Sequence, residues 1–235
     1  MTTLAVIHRF ANSLVCLISG SIILSMKHSL PALVFDFGGV LVNWDPHYLY
    51  RPLFHGDDAA IDRFLNEIGF HEWNLQQDGG RSFDEGVAVL SAQFPQYADL
   101  IRAYHVRYED SITGPVTGTV EILRACRAAG YPLYGLSNWA QEKFELVRPK
   151  YEFFDCFDDI LISSTVNLVK PDPRIFAIFL QRIGRRAEEC IYIDDSAANV
   201  AVADRVGFTS IHFEAPPQLA AELDRLGVLR LNGHR

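Results

Sequence analysis

Between residues 117 and 226 short apolar runs alternate with stretches of helical spacing, and no other feature of this chain restricts its fold so strongly. Helices are predicted over 117–129, from Ala140 onward, from Asp172 or Pro173 through Gln181, over 196–206 and over 216–226. Between them lie apolar strands at 131–136, 159–162, 190–193 and 208–213. Strands that alternate with helices run parallel and are joined by right-handed crossovers. The expectation is therefore an α/β fold with a parallel sheet, its strand carboxyl ends gathered along one edge.

One more strand stands upstream. Residues 32–35 are apolar and end abruptly in Asp36, with the flexible pair Gly38-Gly39 just beyond. In an open parallel sheet the carboxyl ends of the strands line the ligand crevice, and glycines there let backbone come close to a ligand. Polar residues sit at the other strand ends too: Ser137 and Asn138, Lys170 ahead of a helix start, and the pair Asp194-Asp195. Each alone has an ordinary explanation, as a helix cap, a surface lysine or a turn. Four such groups on one edge read as a site.

From Asp45-Pro46 to Thr113 the apolar residues recur at helical spacing, as in Ile61, Phe64, Leu65 and Ile68, with no strand run among them. The expected organisation is a helical insertion over 45–113, a core formed by 29–44 with 114–235, and an N-terminal extension over 1–28. Within the insertion a Gly79-Gly80 break adjoins Trp73, Gln76, Gln77, Asp78 and Arg81, a solvated loop or one that touches substrate. Trp44, Trp73, Asp78 and Arg81 are the candidate substrate contacts.

Residues 10–26 are almost uncharged, which suits a signal anchor, an export signal or an extension ahead of a natural start at Met26. The last is favoured, because nothing upstream of Met26 is needed to build the first strand. A cytoplasmic protein, monomer or homodimer, with no membrane role for its core, is the expectation. Cys16, Cys126, Cys156 and Cys190 show no Cys-x-x-Cys spacing and suit buried thiols in a reducing compartment. The formal net charge of -8 argues against nucleic acid as a partner and requires any anionic substrate to find local positive charge.

Several carboxylates in one crevice repel one another unless a cation lies between them, and an all-oxygen donor set suits a hard ion such as magnesium. That ion and Lys170 would supply the positive charge. Ser137 and the backbone amides at the start of the following helix could donate to phosphate oxygens. Asp36 is then left for nucleophilic attack.

In these residues the chain resembles the haloacid dehalogenase superfamily. Its four signature motifs are matched in order by Phe35-Asp36-Phe37-Gly38-Gly39-Val40, Leu136-Ser137-Asn138, Lys170-Pro171, and Ile193-Asp194-Asp195-Ser196 with Asn199. The resemblance spans about residues 29–212 and implies a Rossmann-like core with a small helical cap, in which the strands bearing Asp36 and Asp194-Asp195 are neighbours. It implies Asp36 as nucleophile and Lys170 as its catalytic partner. Magnesium would be held by Asp36, the Gly38 carbonyl and Asp195, with Asp194 acting through a water. Ser137, Asn138 and Gly39 would contact the phosphate of a small phosphorylated metabolite such as a sugar phosphate. One position departs from the pattern. Most phosphatases of the superfamily carry a general acid/base Asp two residues after the nucleophile, and here that residue is Gly38, so a water or a cap residue must protonate the leaving oxygen, or leaving groups must be easy.

Other readings differ in what they require. A 2-haloacid dehalogenase would use the same aspartate without metal, but Asp194 and Asp195 would repel a haloacid. A serine hydrolase would need Gly135-Leu136-Ser137-Asn138-Trp139 as its nucleophile elbow, yet Trp139 stands where the second glycine belongs. A catalytically weakened binding module would explain Gly38 but not the retention of Asp36, Lys170 and Asp195 together. No Walker loop, Gly-x-Gly-x-x-Gly or His-Glu-x-x-His occurs in the sequence.

Overall fold

The computed structural model describes residues 30–229, and the N-terminal extension with its Cys16 and Met26 lies outside the described residues. Five strands form the main sheet: β1 (Ala32–Phe35), β4 (Leu133–Ser137), β5 (Asp159–Ile162), β6 (Cys190–Asp194) and β7 (Thr209–His212), in the order β5-β4-β1-β6-β7. All four pairings are parallel, as the alternating pattern requires. β1 is central and wholly buried, which explains its unbroken apolar run.

Register fixes the site. Phe35 lies opposite Gly135 on β4 and Ile193 on β6. One step further along, Asp36 therefore meets the level of Leu136 and Asp194, with Ser137 and Asp195 just beyond. In the bend after β1 the Phe37 carbonyl takes the amides of Leu41 and Val42 at 2.8 Å each, and the Val42 carbonyl takes the Gly39 amide at 3.0 Å. Phe37 itself turns into an aromatic cluster with Trp139, Phe144, Phe154 and Phe157. A Cβ on Gly135 would fall 2.3 Å from the Phe37 ring, so only glycine lets that ring cross the sheet.

The helices of the core close on both faces: α6 (Thr117–Ala128), α7 (Gln141–Val147), α8 (Pro173–Ile183), α9 (Ala197–Val206) and α10 (Pro216–Arg225). Their ends follow the sequence. Asp172 accepts from the Arg174 amide to cap α8, Ser196 accepts from the Asn199 amide to cap α9, and Gly207 ends α9 in the left-handed conformation.

Residues 45–111 contain only helices among the regular elements: α1 (Pro46–Tyr50), α2 (Asp58–Glu67), α3 (Phe70–Asp78), α4 (Phe83–Gln93) and α5 (Ala98–Val106), with short 3₁₀ turns. They pack on a cluster of Tyr50, Phe64, Phe70, Trp73, Phe83 and Tyr104. One feature went unseen in the sequence. A two-stranded antiparallel ribbon, β2 (Val42–Trp44) with β3 (Ile112–Pro115), frames the insertion where the chain leaves and re-enters the core. Its strands are too short for periodicity to reveal, and Gly114-Pro115 reads as a turn. Across the seam the Ser163 hydroxyl donates to the Asp78 carbonyl at 2.6 Å, the Phe83 amide to Glu142 at 2.9 Å and the Lys143 ammonium to the His105 carbonyl at 2.8 Å.

Among the described residues no helix is long and apolar enough to cross a membrane. Cys126 and Cys190 are buried free thiols and Cys156 is a half-buried one.

Candidate active site

Lys170 is the hub. Its ammonium is buried and lies 3.0 Å from Asp36 Oδ1 and 2.7 Å from Asp194 Oδ2, and it donates to the Leu136 carbonyl at 2.9 Å. Asn138 holds the main chain of this residue from both sides: its Oδ1 accepts from the Lys170 amide at 2.8 Å and its Nδ2 donates to the Lys170 carbonyl at 2.9 Å. Asp194 is the fixed base of the assembly. Besides Lys170 it accepts from the Tyr192 hydroxyl, from the Ser196 amide at 2.8 Å and from the Asn199 amide group at 3.0 Å.

Asp36 is less well served. Its Oδ1 is buried, with the Lys170 ammonium at 3.0 Å. Burial pushes the Asp36 carboxyl up to about 6, helped by Asp194 and resisted by Lys170 and the Ser137 hydroxyl. Asp194 stays below the ordinary carboxylate range, because Lys170 and its hydrogen-bond donors outweigh the cost of its burial. Lys170 is desolvated as well, yet Asp194 and Asp36 together hold it above its usual value. Asp195, at the exposed rim, is raised by partial burial and by Asp194.

Oxygens of Asp36, Asp194 and Asp195 lie within 4.8 Å of one another. An all-carboxylate set of three side chains against a single ammonium suits a hard divalent cation. Gly39 supports the fit. It holds φ +73°, and a Cβ there would stand 2.1 Å from Asp195 Oδ2, so the Asp195 carboxylate occupies space that only glycine leaves open. Gly39→Ala is expected to cost about 1–2 kcal/mol from the left-handed backbone alone and to displace Asp195. Denaturant unfolding together with a magnesium titration checks both effects.

Except for the fully buried Asp194, these groups line a cleft of roughly 500 Å³ at the sheet edge, under the insertion. Asp36, Gly38, Gly39, Trp44, Asp78, Ser137, Asn138, Lys170 and Asp195 all reach it, as the sequence suggests. Trp73 and Arg81 do not line it. The Trp73 indole donates to the Gly86 carbonyl at 2.9 Å inside the insertion, and Arg81 donates to Gln77 at 2.6 Å, so both hold the helices together. Two amides at the start of α7 are not free for a phosphate either: those of Trp139 and Gln141 donate to the hydroxyls of Ser163 and Ser164. Four lining residues were not foreseen: His71, Asn74, Leu75 and Ala198. His71, Asn74, Leu75 and Asp78 follow an i, i+3, i+4, i+7 spacing on α3, a polar stripe that could have marked the helix face turned to the cleft.

A buried aspartate beside a buried lysine at the carboxyl edge of a parallel sheet, with two more carboxylates in reach, makes up a candidate hydrolase site. Comparison with known proteins agrees: residues 30–207 match the family described as haloacid dehalogenase-like hydrolase, and the chain belongs to it. The sesquiterpene phosphatase astK of Aspergillus oryzae is 26% identical over 86% of this chain and 98% of its own length. An (S)-2-haloacid dehalogenase of Pseudomonas putida is 29% identical over 77% of this chain and 82% of its own. The HAD family enzyme bt-2542 of Bacteroides thetaiotaomicron, crystallised with magnesium and inorganic phosphate, shares the fold at TM-score 0.62 and 22% identity, covering 80% of this chain and 96% of that one.

Proposed function

We propose that this hydrolase is a magnesium-dependent phosphatase of a small phosphorylated metabolite, working through an aspartyl-phosphate on Asp36, with residues 45–113 as its cap. The observation that carries the reading is the clustering of Asp36, Asp194 and Asp195, whose carboxylate oxygens lie within 4.8 Å of one another. Three carboxylates with one lysine leave surplus negative charge, which a divalent cation offsets and a metal-free site would have to bury.

Magnesium held by Asp36, Asp195 and the Gly38 carbonyl would neutralise charge between nucleophile and phosphoryl oxygens. The chain's own groups then do the following. Lys170 orients Asp36 and keeps it ionised for in-line attack. Asp194 fixes Lys170. Ser137 and the Lys170 ammonium take up charge developing on the phosphoryl group. The astK relative's substrate class makes an organic phosphate with an apolar body one candidate, and Trp44, Leu75, Tyr108 and Trp139 around the cleft and its side recess would suit such a body.

A haloacid dehalogenase is the second reading, favoured by Gly38: a departing halide needs no proton, so the missing acid would cost nothing. Phosphate release from a panel of small phosphate esters, with and without magnesium, decides between them. Metal-dependent release absent in Asp36→Asn is the expected result. Chloride release from 2-chloropropionate in chelator, with no phosphate release from any ester, would overturn it.

A further inference from the structure

Gly38 leaves the leaving group without its usual proton donor, and the space it vacates is bordered by another carboxyl group. A Cβ at Gly38 would meet no atom within 4 Å. That open volume continues into a side recess of roughly 70 Å³ lined by Gly38, Trp44, Asn74, Asp78, Tyr108, Asn138 and Trp139. Asp78 and Gly38 line both this recess and the main cleft with Asp36. We propose that Asp78, at the last turn of α3, is the general acid/base of this enzyme, reaching from the insertion to the position that a carboxyl at residue 38 would otherwise fill.

The inference rests on the phosphatase reading and adds a catalytic residue to it. Asp78 is 9% exposed, and its surroundings are compatible with a proton-carrying role. Asn74 Nδ2 donates to its Oδ2 at 3.2 Å, while the Oδ1 of that asparagine is buried without a partner. An acceptor is thus waiting beside the carboxyl, suited to a hydroxyl of the departing alcohol or to the incoming water. The ionisable groups that face Asp78 are Asp36 and Lys170 from the sheet edge and Tyr104 and Tyr108 from the insertion, with His71 on its own helix lining the same cleft. Burial raises Asp78 to about 7; the Ala140 amide lowers it, Asp36 adds to the rise and Lys170 opposes it. A group balanced there holds a proton to give and can take one back.

The steps balance. Asp36 attacks phosphorus, the bond to the ester oxygen breaks, and the Asp78 proton passes to that oxygen to release the alcohol. Asp78 carboxylate then removes a proton from water as its oxygen attacks the aspartyl-phosphate. The phosphorus–Asp36 bond breaks, inorganic phosphate leaves, and both side chains return to their starting states.

The test compares an alkyl phosphate with 2,4-dinitrophenyl phosphate, whose leaving group needs no proton, under saturating magnesium. Asp78→Asn is expected to lose 10²- to 10⁴-fold in kcat/KM on the alkyl ester, at least tenfold more than it loses on the dinitrophenyl ester. Adding Gly38→Asp to that variant is expected to recover alkyl ester hydrolysis. Equal losses on both esters would show that Asp78 only packs and hydrogen-bonds within α3, as to Asn74, and would overturn the assignment. Should Asp78→Asn not fold, the dependence of rate on leaving-group pKa in the unmodified chain serves instead: a shallow dependence supports a working acid, and one as steep as the uncatalysed reaction overturns it. If the unmodified chain cleaves neither ester, the phosphatase reading fails.

Discussion

Replacing Lys170 by methionine is expected to cost about 3–5 kcal/mol of stability at neutral pH and to reduce turnover by two orders of magnitude or more. Methionine nearly matches the length and volume of the lysine stem, so packing changes little. What disappears is the one charge that Asp36 and Asp194 share, at 3.0 and 2.7 Å. Both carboxylates remain buried, and Asp194 keeps donors from Tyr192, Ser196 and Asn199 that favour its ionised form. The penalty is therefore electrostatic, and acid should relieve it. In the unmodified chain the depressed Asp194 contributes stability that is present above the ordinary carboxylate pKa and fades as pH falls through its folded value. In the variant that contribution is lost, so the gap between the two proteins should narrow from pH 7 to pH 3, mostly below the ordinary carboxylate value of 3.8. Urea unfolding at both values in chelator measures it. A gap below 1 kcal/mol at pH 7 would mean that the ammonium is not the keystone of this edge.

The sequence made this edge legible because its residues sit at the ends of strands whose type is unmistakable. Asp36 follows a four-residue run buried on both faces, a pattern that only a central parallel strand produces. Once the strands are parallel, Asp36, Ser137, Lys170, Asp194 and Asp195 converge by topology. The insertion was harder to read. Trp73 and Arg81 adjoin a glycine pair and look available to a ligand, yet the indole finds the Gly86 carbonyl and the guanidinium finds Gln77 inside the helical packing. Such partners lie 13 and 4 residues away and depend on how α3 meets α4. Helical spacing gives a face but not the direction it points. The α7 amides of Trp139 and Gln141 failed for the same reason: Ser163 and Ser164, more than 20 residues further along the chain, take them. The ribbon of β2 and β3 escaped because three- and four-residue strands carry too few alternations to count.

Asp36→Asn is expected to abolish turnover while making the metal-free protein more stable. Loss of the nucleophile removes the covalent route, and a fall of four orders of magnitude or more in kcat matches what other nucleophile replacements produce. The stability effect follows from linkage. Burial raises the Asp36 carboxyl from 3.8 to about 6, so the folded chain binds a proton more tightly than the unfolded one. Stability then decreases as pH rises from about 4 to about 6, and above 6 the full cost of a buried, poorly solvated carboxylate is present. A shift of about two units corresponds to roughly 3 kcal/mol. Asparagine has nearly the same shape, carries no charge and still leaves Lys170 paired with Asp194. In chelator at pH 7.5 the variant should unfold up to 3 kcal/mol later, about 6–12 °C in Tm for a chain of this size. At pH 4 the two proteins should converge. Magnesium should then narrow the difference at pH 7.5, since the cation favours the charged carboxylate that asparagine lacks. A variant no more stable than the parent in chelator would show that Lys170 already balances Asp36 in full, and that the surplus negative charge from which a metal was inferred is not there.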